Sequence, residues 1–372
     1  MKKLLRIMGW IFLGIVGLIV IIVVGANIFV NTAPQIGKLP EGEDLARIQQ
    51  SPNYGKDQFE NLQETKMGSF SEMMETMPDF FFGKGKEPTD TLPTKYMESL
   101  TDPVDSVAYI TWYGHSSFLV EMEGKRILLD PMLTKVPSPL PFGTKRFLNQ
   151  KPVPLEELDN IDYVIISHDH YDHLDYKSIL SLKDKVGHFY TALGVGSRLK
   201  SWGVSPEKIT ELDWWDETVA DSLTLAACPA RHFSGRGFSD RNKTQWASWV
   251  ITGKYTNLYF SGDGGYGPHF KDIGEKYGPF DLAMMECGQY NEAWKAIHMM
   301  PEESVQAGLD VKGKTLMPIH WGAFALAVHT WRDPIERFTK ESKRLGASAI
   351  HPYIGERFRL GEDYPSENWW KE

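Results

Sequence analysis

The sequence predicts an α/β domain carried behind an N-terminal transmembrane helix. Three observations predict it. Residues 9–30 are uncharged and apolar; several short strand-like runs each end in a metal-ligating side chain; and Ile335, Phe338 and Leu345 sit at the spacing of an outer amphipathic helix.

The N-terminal run is rich in Ile, Val, Leu and Gly and is preceded by Lys2, Lys3 and Arg6. At about 1.5 Å per residue it is long enough to cross a hydrocarbon core of about 30 Å. Ala26-Asn27-Ile28 offers no convincing cleavage site and no cysteine follows to accept a lipid, so the run reads as an uncleaved anchor. The basic residues ahead of it should stay cytoplasmic, giving a single-pass protein of the cell membrane with its catalytic domain on the exoplasmic side. Lys38 and Arg47 beyond the run soften that bias.

Residues 34–105 read as a linker and an amphipathic segment, ahead of a catalytic domain over 106–372 and behind an anchor over 1–33. Pro34, Gly37, Pro40, Gly42 and Pro52-Asn53-Tyr54-Gly55 break regular structure and leave room for a short helix at most. Met67, Phe70, Met73, Met74, Met77 and Phe80-Phe81-Phe82 then recur at helical spacing. Such a face either packs on the catalytic domain or lies against acyl chains and the bilayer.

Tyr163-Val164-Ile165-Ile166 reads as a buried strand, and the loop after it carries His168, His170, Asp172 and His173 in an H-x-H-x-D-H pattern. Imidazoles with a carboxylate are the ligands that zinc and similar borderline metals prefer, and a strand tip aims them into one place. Three later apolar runs end the same way. Leu223-Thr224-Leu225-Ala226-Ala227-Cys228 leads to His232, Leu258-Tyr259-Phe260 to Asp263, and Thr315-Leu316-Met317-Pro318-Ile319 to His320. Singly, each would pass as a core histidine or a turn aspartate. Together they complete a two-metal site: His168, His170 and His232 for one ion, Asp172, His173 and His320 for the other, and Asp263 bridging.

The formal charge of −9 with no basic cluster argues against nucleic-acid partners, whose phosphates call for Lys and Arg. The two cysteines, Cys228 and Cys287, each sit in an apolar strand and read as buried thiols; a disulfide between neighbouring strands is the alternative.

With its ligand motifs in this order, the chain resembles the metallo-β-lactamase fold superfamily. Val107-Ala108-Tyr109-Ile110-Thr111-Trp112 with Gly114-His115, then Ile127-Leu128-Leu129-Asp130-Pro131, resembles that fold's opening hairpin. The resemblance implies one αβ/βα sandwich of two mixed sheets flanked by helices. Lys145-Arg146-Phe147, Leu174-Asp175-Tyr176, Asp213-Trp214-Trp215, Gly278-Pro279-Phe280-Asp281, His298 with Pro301-Glu302-Glu303, and His320-Trp321-Gly322 are similar to the N-acylphosphatidylethanolamine-hydrolysing phospholipase D family over roughly residues 80–360. The chain departs from that family at Ile297, Arg231 and Glu286-Cys287, positions expected near the substrate pocket rather than the metals.

The resemblance implies a phosphodiesterase that splits N-acylphosphatidylethanolamine or a related phospholipid into phosphatidic acid and N-acylethanolamine. A zinc pair supplies an activated water near neutral pH and offsets charge on the phosphoryl group. His298 matches the family's additional active-site histidine and is the candidate proton donor to the leaving group, with Asp172 the other residue assigned to catalysis. Asp169, Asp130 and His115 are expected to brace the ligands rather than bind metal. Trp214, Trp215, Trp246 and Trp249 read as core. A lactonase or other ester hydrolase is the first alternative, a non-catalytic metal-binding domain on a membrane stalk the second. A di-iron oxidoreductase would need a carboxylate where His170 stands.

Overall fold

The computed structural model describes residues 2–97, 103–104, 106–362 and 364–371. The expected start of the catalytic domain, between 105 and 106, borders Asp105, which lies outside the described residues. Helices α1 (Lys2–Thr32), α2 (Gly42–Ile48) and α3 (Phe70–Phe82) precede the first strand. Strands β1 (Tyr109–Trp112), β2 (Phe118–Met122), β3 (Lys125–Leu129) and β4 (Ile161–Ile166) follow, then α4 (Tyr176–Leu182), β5 (Val186–Ala192), α5 (Gly196–Ser201) and β6 (Ile209–Leu212). The second half runs β7 (Glu217–Ala220), β8 (Leu223–Cys228), β9 (Ser248–Thr252), β10 (Asn257–Phe260), α6 (His269–Lys276), β11 (Leu282–Glu286), α7 (Pro301–Asp310), β12 (Leu316–Ile319), α8 (Asp333–Leu345) and β13 (Arg357–Arg359).

Two mixed sheets result. One has the order β13-β1-β2-β3-β4-β5-β6, antiparallel up to β3 and parallel from β3 to β6. The other has the order β12-β11-β10-β9-β8-β7, parallel only from β10 to β12. Parallel strands need crossovers, and α6 and α7 supply them between β10, β11 and β12. Helix α7 packs on β11 and β12 and against α8, whose apolar stripe Ile335 and Phe338 is fully buried. The result is the αβ/βα sandwich expected.

The strands feeding the site are buried on both faces, which is why they read as continuous apolar runs. Trp112, Trp246 and Trp249 are fully buried, and burial of a large apolar side chain contributes about 1.5–3 kcal/mol. Trp214 is buried as well and Trp215 partly so, in keeping with a core role. Cys228 and Cys287 are free buried thiols.

Three features differ from expectation. The opening hairpin is a three-stranded meander, with β2 between the two strands read from sequence. Residues 34–68 are docked rather than loose: Ile36, Ile48 and Phe59 are buried, and Trp202 Nε1 donates to the Pro34 carbonyl at 2.7 Å. Isolated apolar residues among breakers give no periodic signal, so only tertiary contact reveals them. Helix α3 starts with a capping box between Ser69 and Glu72, but Met73, Met74, Met77, Phe80, Phe81 and Phe82 are all exposed, so the face does not pack on the domain. The Phe70 side chain lies outside the described residues.

Helix α1 is long and apolar enough to cross a membrane, and none of its apolar window is buried.

Candidate metal centre

Every candidate ligand leaves a strand end on one rim of the sandwich. Asp130 follows β3; His168, His170, Asp172 and His173 follow β4; His232 follows β8; Asp263 follows β10; and His320 follows β12. The turns are forced: His115, Asp130 and His320 all adopt left-handed backbone, at φ of 56°, 37° and 68°. Residues other than glycine tolerate that region at a cost, and such outliers gather where surrounding structure holds a site. Gly288 allows β11 and β12 to converge, since a Cβ there would lie 1.5 Å from the His320 carbonyl oxygen.

The seven proposed ligands form two clusters. His168, His170 and His232 make the first, where His168 Nε2 lies 2.8 Å and His232 Nε2 3.3 Å from His170 Nδ1. Asp172, His173 and His320 make the second, joined by His115, with Asp172 Oδ2 3.2 Å from His320 Nε2 and 3.6 Å from His173 Nε2. Asp263 sits between them. Its Oδ2 is 3.0 Å from His173 Nε2, 3.3 Å from His320 Nε2, and 3.9 Å from Nε2 of both His168 and His232.

The outward ring nitrogens test whether these residues suit a metal. His173 Nδ1 meets Asp130 Oδ2 at 2.7 Å, His232 Nδ1 meets the Ile297 carbonyl at 2.9 Å, and His168 Nδ1 meets Ser167 Oγ at 2.9 Å. Ser167 in turn donates to Asp130 Oδ2 at 2.5 Å. A nitrogen that donates outward leaves a lone pair on the inward one, the tautomer a metal requires. His173 Nε2, which faces Asp263 Oδ2 outside hydrogen-bond geometry, and Asp263 Oδ1 are buried without hydrogen-bond partners. Buried polar atoms left unpaired are costly, and a cation would satisfy both. The donor set therefore fits.

Electrostatics agree. Burial pushes His168 and His232 well below the usual imidazole value, as do the imidazoles around them, and it takes His170 down to about 4. Burial alone would raise the Asp172 and Asp263 carboxyls, but nearby imidazoles, His173 foremost, hold both well below the carboxylate range. His173 and His320 are raised against the effect of burial, His320 to about 9, because Asp263 and Asp172 face them. Cationic charge is thus drawn to the centre of the cluster.

The three residues read as braces lie in different settings, with Asp130 against His173 as above. His115 Nε2 meets Asp172 Oδ2 at 2.9 Å. Asp169 points away from the cluster, taking Arg198 Nη2 at 3.1 Å and the Gly235 amide at 2.8 Å; Arg198 also donates to Asp240 at 2.7 Å. His298 lies beside the cluster, with ring centroids 5.0 Å from His232 and 5.3 Å from His320.

Glu286 corrects the sequence reading. Expected near the substrate pocket, it is fully buried and contacts His320 Nδ1 at 3.2 Å, against the candidate ligands. A charged residue closing the apolar strand Leu282–Glu286 was the available signal, because buried carboxylates are rare unless paired. Arg231 and Ile297 also act structurally: Arg231 binds Thr65 and the Glu64 and Tyr266 carbonyls, and Ile297 holds His232. Asn61 was not foreseen, since nothing in its local sequence marks it. It receives the His232 amide at 3.1 Å and donates to the His232 carbonyl at 2.8 Å.

Sandwich and cluster together define a metal-dependent hydrolase. The family model described as beta-lactamase superfamily domain matches residues 125–321, and the chain belongs to that superfamily. An uncharacterized protein of Mycobacterium tuberculosis is 38% identical over 341 residues, covering 89% of this chain and 91% of that one. N-acyl-phosphatidylethanolamine-hydrolyzing phospholipase D 1 of Caenorhabditis elegans is 33% identical over 249 residues, covering 63% of this chain and 70% of that one. Among solved structures, a metallo hydrolase from Ignicoccus hospitalis shares the fold at a TM-score of 0.54 and 21% identity, covering 69% of this chain and all of that one, 100%.

Proposed function

We propose that the protein is a membrane-anchored binuclear zinc phosphodiesterase of phospholipase D type. Its substrate is N-acylphosphatidylethanolamine or a related phospholipid, cleaved to phosphatidic acid and N-acylethanolamine. The observation that carries this reading is the placement of His298 beside two histidine-carboxylate clusters in a chain 33% identical to a phospholipase D of that specificity.

His168, His170 and His232 would hold one zinc, Asp172, His173 and His320 the other, with Asp263 between them. Zinc bound there supplies Lewis acidity toward phosphoryl oxygens and activates water near neutral pH. In-line attack of water would form a new P–O bond as the water's proton passes to the Asp172 carboxylate, and would break the bond to the ethanolamine oxygen. His298, only partly buried, gives its proton to that leaving oxygen. Asp130, Ser167, the Ile297 carbonyl and His115 keep the ligand rings and Asp172 from turning.

Helix α1 anchors the chain and α3 meets the same bilayer. Gly68, just before α3, donates to the Ala293 carbonyl at 2.6 Å, and Gly85, just after it, accepts from the Trp331 amide at 3.0 Å. The exposed Met and Phe side chains are therefore strung between the loop that leads to His298 and the loop that follows His320. Lipid entering there would bring its phosphodiester to the clusters. The catalytic domain lies on the exoplasmic side in this reading.

Incubating purified full-length protein with a total lipid extract and reading the products by mass spectrometry tests the reaction. Paired gain of phosphatidic acid and N-acylethanolamine is expected. Release of an acid without a new phosphorus-containing product would replace this reading with an ester hydrolase.

A further inference from the structure

Glu286 is the last residue of β11, and β11 pairs in parallel with β12 so that Glu286 lies opposite Ile319, the residue before His320. Its side chain is fully buried, and its amide donates to Ser261 Oγ at 2.9 Å. Oε2 accepts the Met299 amide at 3.0 Å. Oε1 faces two rings at once, His298 Nδ1 at 3.1 Å and His320 Nδ1 at 3.2 Å. Those rings stack nearly parallel, 22° apart.

A carboxylate has no hydrogen to give, so both Nδ1 atoms donate to it. That fixes both tautomers. His320 is then left with Nε2, beside Asp172 and Asp263, as the atom a metal would take, and His298 with Nε2, not Nδ1, as the atom that takes up and releases a proton.

We propose that Glu286 is a positioning residue that sets two imidazoles with one oxygen, orienting the ligand His320 and the proton donor His298 together. The inference about His298 rests on the function proposed above; the inference about His320 does not. Glutamine in this place has a conflict carboxylate lacks. If its oxygen serves the two rings, its NH2 meets the Met299 N–H; if the oxygen takes Met299, the NH2 faces both Nδ1 atoms and turns them into acceptors. Either way one contact is lost.

The test uses the full chain in detergent micelles, with zinc added against a competing chelator and no lipid substrate. Glu286→Gln should weaken one of the two zinc equivalents by roughly 10- to 100-fold and spare the other, as loss of an outer partner does at histidine sites. His298→Ala should leave both equivalents at wild-type affinity. Glu286→Asp, which keeps a carboxylate, should recover part of the loss. Nitrogen-15 imidazole spectra of the unsubstituted protein, with His298 assigned by its absence in His298→Ala, should place the His298 hydrogen on Nδ1. Wild-type affinity for both equivalents in Glu286→Gln, equal weakening of both, or a His298 hydrogen on Nε2 with a bare Nδ1 would each overturn the proposal. None of these readings uses lipid turnover, so absence of phosphatidic acid production would remove the lipid function and leave the zinc result standing.

Discussion

Asp130 Oδ2 lies 2.7 Å from Nδ1 of His173, with both side chains wholly shielded from solvent, and the same oxygen takes the Ser167 hydroxyl that holds His168. One carboxylate thus orients a histidine in each cluster. Asp130→Asn should weaken both zinc equivalents by roughly 10- to 100-fold, the usual cost of losing such a partner. Chelator competition on the purified variant checks this, and weakening confined to one equivalent would count against the shared role.

Asp263→Ala removes the carboxylate common to both clusters. Elemental analysis should fall from close to two zinc equivalents in the parent protein, with turnover lost alongside. A variant that kept two equivalents would rule out a bridging Asp263.

His298→Ala should keep both metals and lose at least about tenfold in kcat, because general acid help to a leaving oxygen contributes roughly 10²- to 10⁴-fold. A nitrophenyl phosphodiester, whose leaving group needs little protonation, should lose much less. Equal losses on both substrates would point to positioning instead.

Arg198 pairs with Asp169 and Asp240 in the interior, apart from the candidate ligand atoms. Arg198→Met removes the cation the two carboxylates share and leaves Arg236 near Asp169, and breaking a buried pair in this way costs about 3–5 kcal/mol. Urea unfolding should show the lowered midpoint. A shift under 1 kcal/mol, roughly the worth of a surface pair, would mean water reaches the pair.

Much of the sandwich was legible because strands buried on both faces announce themselves as apolar runs: the run at 223–228 is β8 residue for residue, and α8 covers the stripe of Ile335 and Phe338. Strand β2 was not, since it carries Glu121, whose charge meets Arg357 on β13, far away in sequence. The residues that cluster at the rim could be read because metal chemistry restricts side-chain type and spacing. Asn61 could not: it reaches His232 from far away in sequence, and no local pattern encodes such a contact. Helical periodicity revealed the face of α3 but not what meets it, because protein and lipid ask for the same side chains.

The exposed face of α3 supplies the last test. A nitroxide on Phe82→Cys in full-length protein reconstituted into vesicles should collide with oxygen more than with a water-soluble nickel chelate, the signature of a lipid-immersed position. The double substitution Phe81→Ser, Phe82→Ser should lower turnover of bilayer substrate several-fold while sparing short-chain, dispersed substrate. Aqueous collision behaviour at residue 82 would take α3 out of the membrane.

Helix α1 ends at Thr32, and the carbonyl of Pro34 is already held by Trp202. Two residues of extended chain span about 7 Å at most. In the proposed anchored state the protein therefore has no leash. It travels with its helix as one piece, cannot turn its metal rim toward an opposing membrane, and meets substrate only by lateral diffusion within a single leaflet. Its turnover should follow the mole fraction of substrate in that leaflet rather than the amount of lipid in the suspension.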